Sequence, residues 1–188
     1  MVKIILLGRC CRISNDMIDI NLKNETSLFE WVWTDSLNEI NNVLEKLINN
    51  KPILINRIDG NDFIEDTNIK TCHYLNKNYK EIVIRRSNRF MNDIINNNKI
   101  LFIRDDLLST IKYEEIEKFY SLIKTINPLL SFKMLLLSNR NNFNEIIYPN
   151  LYHKIYDKSL YKIYINDCYI IENDVKNYYI HDISDNEL

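Results

Sequence analysis

The junction with the clearest chemical potential lies near the start of the chain. The apolar run Val2-Lys3-Ile4-Ile5-Leu6-Leu7 stops at Gly8, and Arg9-Cys10-Cys11-Arg12 follows at once. This places a thiol where a buried strand hands over to a helix. A helix N-terminus flanked by two arginines stabilises a thiolate, and the thiolate, not the thiol, is the nucleophile. Cys11 is therefore the candidate reactive atom, with Arg9 and Arg12 as candidate substrate-binding residues beside it. The chemistry in view is covalent attack on an electrophilic carbon.

Such a nucleophile needs a base, and the chain offers His73, His153 and His181. His73 lies between Cys72 and Tyr74, in a stretch without strong periodicity, the kind of segment that often carries function. It is the preferred base. His153 sits in a tyrosine-rich tail where an imidazole serves as a packing group, and His181-Asp182 lies close to the C-terminus. Cys10, Cys11, Cys72 and His73 are also a conceivable zinc set. Structural zinc sites space two ligands by about 2 to 4 residues in each half, and adjacent residues seldom point at one ion, so no metal or other cofactor is expected.

The elements that must position these groups follow from apolar periodicity. Val2–Leu7, Ile100–Ile103 and Phe132–Leu137 read as short buried strands. A first helix begins near Cys11 or Arg12. Ser36 and Glu39 have capping-box spacing ahead of the stripe Leu37, Ile40, Val43, Leu44, Leu47 and Ile48, which predicts a helix ending near Asn49 or Asn50. Pro52 introduces a short strand at Ile53–Ile55, and Asp59-Gly60-Asn61-Asp62 reads as a turn. Helices are expected over 79–96, with Arg85 and Arg89 on one face and Arg86 nearer the apolar side, and from Tyr113 to before Pro128. Phe29, Trp31 and Trp33 read as core anchors of the preceding loop.

Continuously apolar strands alternating with helices predict a three-layer α/β domain with a mainly parallel sheet. Residues 151–171 alternate Tyr with Ile and Lys, so they read as antiparallel strands or a hairpin forming a β-rich appendage over 151–188 of one domain spanning 1–188. In such a sheet, ligands bind beyond the strand carboxyl ends, near a reversal of strand order. Those ends deliver Gly8-Arg9-Cys10-Cys11, Arg104-Asp105-Asp106 and Ser138-Asn139-Arg140.

Composition narrows the partners. With 188 residues, 46% of them hydrophobic, the chain has enough material for one substantial core. A formal net charge of -2 and an isoelectric point near 6.0 provide no basic face for nucleic acid or an anionic membrane. The apolar run Ile4–Leu7 is too short for a signal-peptide core, and no stretch of about 18 apolar residues suggests a membrane span. Vicinal Cys10 and Cys11, with Cys72 and Cys168 far off, do not form a secreted disulfide framework, so a soluble cytoplasmic protein with reduced thiols is expected. Ala and Gln are absent, and Asn, Ile, Lys and Tyr are heavily used. This bias suits an AT-rich coding composition, so Asn-rich patches are weak signs of disorder.

Five segments in order carry a resemblance: Leu7-Gly8-Arg9-Cys10-Cys11, Phe29-Glu30-Trp31, His73-Tyr74, Arg85-Arg86-Ser87-Asn88-Arg89-Phe90 and Leu101-Phe102-Ile103-Arg104. Together they resemble an uncharacterised family of papain-like cysteine peptidases, with the pattern Leu-Gly-x-x-Cys, Phe-Asp-Trp, His, Arg-Arg-x-x-Arg-Phe and Leu-Phe-x-Arg. The resemblance covers roughly residues 4 to 104. It departs at Glu30, where the family has Asp, which keeps the charge on a longer side chain. It implies Cys11 as nucleophile, His73 as base and a covalent acyl-enzyme hydrolysed by water. Asp105, Asp106 or Asn139 could orient the imidazole, with Asp105 preferred, and backbone N–H groups at the first helix could hold the oxyanion.

The sequence thus leads to a thiol-dependent hydrolase of a peptide or other acyl substrate, with Cys11, His73 and Asp105 as catalytic residues. Arg9, Arg12, Trp31, Arg86, Arg89 and Asn139 are its candidate substrate-binding residues. The rival is a non-catalytic module that uses the strand-end cleft and the Arg85, Arg86 and Arg89 face to hold an anionic small molecule, glycan or protein partner.

Overall fold

The computed structural model describes residues 2–9, 12–19, 25–71, 78–106, 111–138 and 150–155, together with 162, 165 and 168. Strand β1 (Lys3–Leu6) leads into helix α1 (Arg12–Asp19). There follow β2 (Val32–Trp33), α2 (Leu37–Ile48), β3 (Ile55–Ile58), β4 (Asn61–Ile64), β5 (Lys70–Thr71) and α3 (Tyr79–Asn96). The order closes with β6 (Lys99–Asp106), α4 (Tyr113–Ile126), β7 (Ser131–Ser138) and β8 (Leu151–Ile155).

Two sheets form, one parallel and one antiparallel. The first has the order β1-β6-β7-β8 with every pair parallel. Its apolar strand runs divide by alternation between two faces. Ile5, Leu7, Ile100, Phe102, Phe132, Met134 and Leu136 join one buried cluster with residues of α2, α3 and α4. Val2, Leu6, Leu101, Ile103, Leu135 and Leu137 join another with Ile13 and Met17 of α1 and with Ile165 and Cys168. Burial on both faces explains why these strands read as unbroken apolar runs. Edge-to-face contacts of Phe102 with Phe119 (5.1 Å) and of Phe132 with Tyr120 (5.0 Å) hold α4 against the sheet.

The helix ends follow local chemistry. Ser36 Oγ accepts from the Glu39 N–H at 3.3 Å, which starts α2. Asn50 takes a left-handed φ of 55°, and the Lys51 N–H donates to the Lys46 carbonyl at 2.8 Å, which closes the helix in a Schellman arrangement. Asn127 ends α4 before Pro128, and its Nδ2 donates to the Ile94 carbonyl of α3 at 2.9 Å.

The second sheet has the order β2-β5-β4-β3 and is antiparallel throughout. Of the turn expected over Asp59-Gly60-Asn61-Asp62, Asp59 (φ 50°) and Gly60 (φ 76°) form a two-residue turn between β3 and β4, whereas Asn61 and Asp62 already belong to β4. That turn fixes the register, pairing Ile55 with Ile64 and Ile58 with Asn61. The strand expected at Ile53–Ile55 therefore lies further on, at Ile55–Ile58, because pairing across the turn rather than hydrophobicity sets its limits.

Other expectations need correction. β8 pairs with β7 in parallel, where antiparallel strands were expected, and Lys162, Ile165 and Cys168 are helical. Alternation reveals a strand but not its direction, which the preceding connection decides. The described strands of the parallel sheet also run in chain order, so they contain no reversal, and β1 lies at an edge. Among the described residues no helix is long and apolar enough to cross a membrane.

Candidate functional site

The carboxyl end of β1 is built around the segment 25–34. Gly8 has a φ of +72°, and a Cβ placed on it would stand 2.9 Å from Thr34 Cγ2, 3.1 Å from the Phe29 carbonyl oxygen and 3.1 Å from Val32 Cγ2. Only glycine suits both that backbone state and that approach. Arg9 follows with φ 91°, a region non-glycine residues rarely occupy, and Trp31 has φ 62°. Arg9, immediately before Cys10-Cys11, and Trp31 in the facing segment thus both hold a strained backbone.

Helix α3 holds the same segment from another side. Arg86 donates from Nη1 to the Glu30 carbonyl at 3.2 Å, and Arg89 donates from Nη1 to the Thr26 carbonyl at 2.7 Å. Phe90 meets Phe29 edge to face at 5.2 Å. Burial lowers the pKa of Arg86; Glu30 opposes that shift and Arg89 adds to it. Arg89 also lies 3.7 Å from Glu25, which lies 3.7 Å from Lys3, the first residue of β1.

Glu30 joins this arrangement to α1. Its side chain is buried, with Oε1 accepting from the Ser27 N–H at 2.7 Å and Oε2 from the Ser14 hydroxyl at 3.5 Å. The longer side chain at the position where the resembled family has Asp thus spans from its own turn to the helix that begins at Arg12.

From β6, Arg104 is fully buried and donates from Nη1 to the Leu7 carbonyl at 2.7 Å and from Nη2 to the Thr34 carbonyl at 3.1 Å. Asp105 is buried too, at 1% exposure. Strand alternation puts Asp105 on the face of Leu101 and Ile103, and Arg104 on the face of Ile100 and Phe102. Both residues lie within β6, paired with Leu137 and Leu136, rather than in the loop expected there. The ladder extends to Asp106 because the parallel pairing to β7 satisfies the backbone regardless of side-chain polarity.

Arg9 is the unusual group of the site. It is only 3% exposed, and neither terminal nitrogen of its guanidinium has a hydrogen-bond partner among the described residues. Its Cζ lies 5.6 Å from the Trp33 ring centroid, a cation–π contact. Trp33 is 40% exposed and donates from Nε1 to Asp35, so it lines this site instead of anchoring the core as expected. Phe29 is the fully buried anchor, and Trp31 is half-buried.

The structure brings Arg9, Trp31, Arg86 and Arg89 to one segment, with Arg86 and Arg89 tethering it. Asp105 lies at the carboxyl end of the neighbouring strand, and Arg12 opens α1. Cys11, His73 and Asn139, like Cys10 and Cys72, lie outside the described residues. Arg85 is exposed on the outer face of α3, where an open groove of about 520 Å³ is lined by Ile84, Arg85, Asn88, Arg89 and Asp93 among others. Sequence reasoning missed the tie from Arg104 to β1 and the bridge from Glu30 to Ser14. An arginine embedded in an apolar strand is the signal for the first, since burying such a charge is costly unless acceptors meet its donors.

No family model, no curated protein and no solved structure matches the chain.

Proposed function

We propose that the protein is a cysteine-dependent hydrolase of an amide or other acyl bond, with Cys11 as nucleophile, His73 as base and Asp105 as the group that orients the imidazole. The observation that carries this reading is convergence. Gly8, Arg86, Arg89, Phe90 and Arg104 are spread over almost a hundred residues, yet all of them contact the segment 25–34 beside the carboxyl end of β1, and Arg104 also holds the Leu7 carbonyl. Motifs that serve only their own elements have no reason to meet at the residue pair preceding a cysteine.

Chain connectivity supports the dyad. Thr71 pairs with Val32, whose side chain closes on Gly8, and His73 follows Thr71 by two residues. Cys11 likewise follows Arg9 by two residues. Two peptide units span at most about 7 Å between Cα atoms, so the chain allows both residues to lie near this strand end. Burial clusters on both faces of the parallel sheet support a three-layer arrangement around it. The reading includes a reducing cytoplasmic setting, where vicinal thiols stay free.

In this mechanism His73 takes the Cys11 proton, and the thiolate attacks the acyl carbon. The carbonyl electrons move to oxygen, where N–H groups at the start of α1 stabilise the oxyanion. Collapse expels the amine, which takes the proton from the imidazolium. Water activated by the imidazole then hydrolyses the thioester, releasing the acid and restoring the thiol.

Iodoacetamide alkylation between pH 5 and 9, with mass spectrometry assigning the thiol, tests the reading without a substrate. Cys11 should label rapidly below the ordinary thiol pKa of about 8.5, and His73→Ala should slow it at least tenfold at pH 6. A Cys11 that titrates as an ordinary thiol and ignores His73→Ala rejects the dyad. The non-catalytic module then takes its place, with Arg85 and the α3 groove as its binding face.

A further inference from the structure

We infer that Arg9 binds a carboxylate, and that the acyl substrate of the proposed hydrolase carries this carboxylate. A guanidinium taken out of water is strongly unfavourable unless its charge and donors are matched. Arg9 is 97% buried, being 3% exposed, and both terminal nitrogens lack a hydrogen-bond partner among the described residues. Its neighbour Arg104 shows what a structural arginine does at the same strand end. Its Nη1 and Nη2 donate to the Leu7 and Thr34 carbonyls, whereas Nη1 and Nη2 of Arg9 meet no acceptor among the described residues.

The surroundings of the side chain leave its charge to be met by an anion. Trp33 lies against the guanidinium with its centroid 5.6 Å from Cζ, while the terminal N–H groups have no other partner among the described residues. Those groups form a planar fork that matches the two oxygens of a carboxylate. One guanidinium neutralises one carboxylate, whereas a buried phosphate dianion would leave charge uncompensated, so the fit favours the carboxylate. The backbone supports this interpretation: Arg9 is held at φ 91° beside a glycine at φ 72°, and such strain persists only where the surroundings impose it.

The carboxylate site stands on Arg9 alone, whereas its assignment to the substrate rests on Cys11 being the nucleophile two residues later. The two are tested apart. Acetyl-alanine, acetyl-alanine amide and inorganic phosphate are titrated into the full chain while tryptophan emission is followed, because Trp33 is 40% exposed and lies against the guanidinium. Wild type should bind the acid at least tenfold more tightly than the amide and more tightly than phosphate. Arg9→Met should lose that preference and Arg9→Lys should keep part of it. Without ligand, Arg9→Met should melt above wild type, because it removes an uncompensated buried charge.

Equal binding of acid and amide, tighter binding of phosphate, or an acid preference that survives Arg9→Met overturns the site. So does an Arg9→Met protein that melts below wild type or fails to fold, since the guanidinium would then be satisfied within the fold. Alkylation by iodoacetate and iodoacetamide separates the two claims. A reactive Cys11 should prefer the anionic reagent at least threefold in wild type and lose that preference in Arg9→Met. Acid-selective binding with an inert Cys11 keeps the carboxylate site and rejects the hydrolase. A reactive Cys11 indifferent to reagent charge rejects the site alone.

Discussion

Two buried regions of this protein obey opposite rules. Where α2 and α4 cover the parallel sheet, the interior is almost wholly apolar, with Ile40, Val43, Leu44, Ile116, Phe119 and Ile123 against Phe102 and Met134. Its one notable polar group, Asn41, donates to the Glu115 carbonyl at 2.9 Å. At the carboxyl end of β1, a similar degree of burial encloses Arg9, Glu30, Arg104 and Asp105, with positive φ angles at Gly8, Arg9 and Trp31. The first region gains stability from apolar area removed from water. The second confines charge and strain, a combination that persists where a site is being shaped and stability is not at its optimum.

The sharpest way to break this comparison is to remove Arg104, whose two terminal nitrogens are both hydrogen-bonded. Arg104→Met strips the Leu7 and Thr34 carbonyls of their buried donors and should destabilise the fold by about 3 kcal/mol, as breaking a buried polar network does. Phe102→Ala in the apolar region should lose about 3–5 kcal/mol through transfer and cavity terms. Urea denaturation of both variants checks the claim that one buried arginine matters to the fold almost as much as a core phenylalanine. A loss below 1 kcal/mol for Arg104→Met would make the charged region dispensable to stability.

This division also explains what could be read from the sequence. Helices α2, α3 and α4 and strands β1, β6 and β7 follow from apolar period and from Ser36, Asn50 and Pro128, because burial against one core imposes that period. β2 and β5 are two residues long and carry no period, so their pairing of Val32 with Thr71 is visible only in three dimensions. Arg104-Asp105-Asp106 read as a loop because polarity normally marks one, while here two backbone carbonyls and a neighbouring strand retain those residues inside the sheet. The segment 29–34 was legible as an aromatic anchor at Phe29. The role of Trp33 depended on Arg9, which no local pattern couples to it.

Glycine substitutions separate strain from crowding. Gly8 and Gly60 have nearly the same backbone, with φ of +72° and +76°, but a Cβ on Gly60 meets nothing within 4 Å. Gly60→Ala should therefore lose about 1 kcal/mol for the left-handed conformation alone. Gly8→Ala adds contact with the Phe29 backbone oxygen and with Thr34, and should lose about 2–3 kcal/mol. Thermal melting of both variants checks the difference. Equal losses would mean that the 29–34 segment yields freely, and would remove the argument that β1 and this segment are fitted to each other.

The smallest effect is expected at Glu30, where length and charge can be tested separately. Its two oxygens reach the Ser27 N–H at 2.7 Å and the Ser14 hydroxyl at 3.5 Å, and its own carbonyl accepts from Arg86. Glu30→Asp keeps the charge but is one methylene too short to hold both partners, so it should lose about 1 kcal/mol, the net value of a buried hydrogen bond. Glu30→Gln keeps the reach but removes the negative charge facing Arg86, a partner already penalised by burial. The stronger requirement is for reach, because the 2.7 Å bond closes the turn that carries Phe29 and Trp31, whereas Arg86 retains its bond to the Glu30 carbonyl in either variant. Urea denaturation should therefore rank wild type above Glu30→Gln and Glu30→Gln above Glu30→Asp. The reverse order would make Glu30 a counter-ion for α3 rather than the strut between the charged strand end and α1.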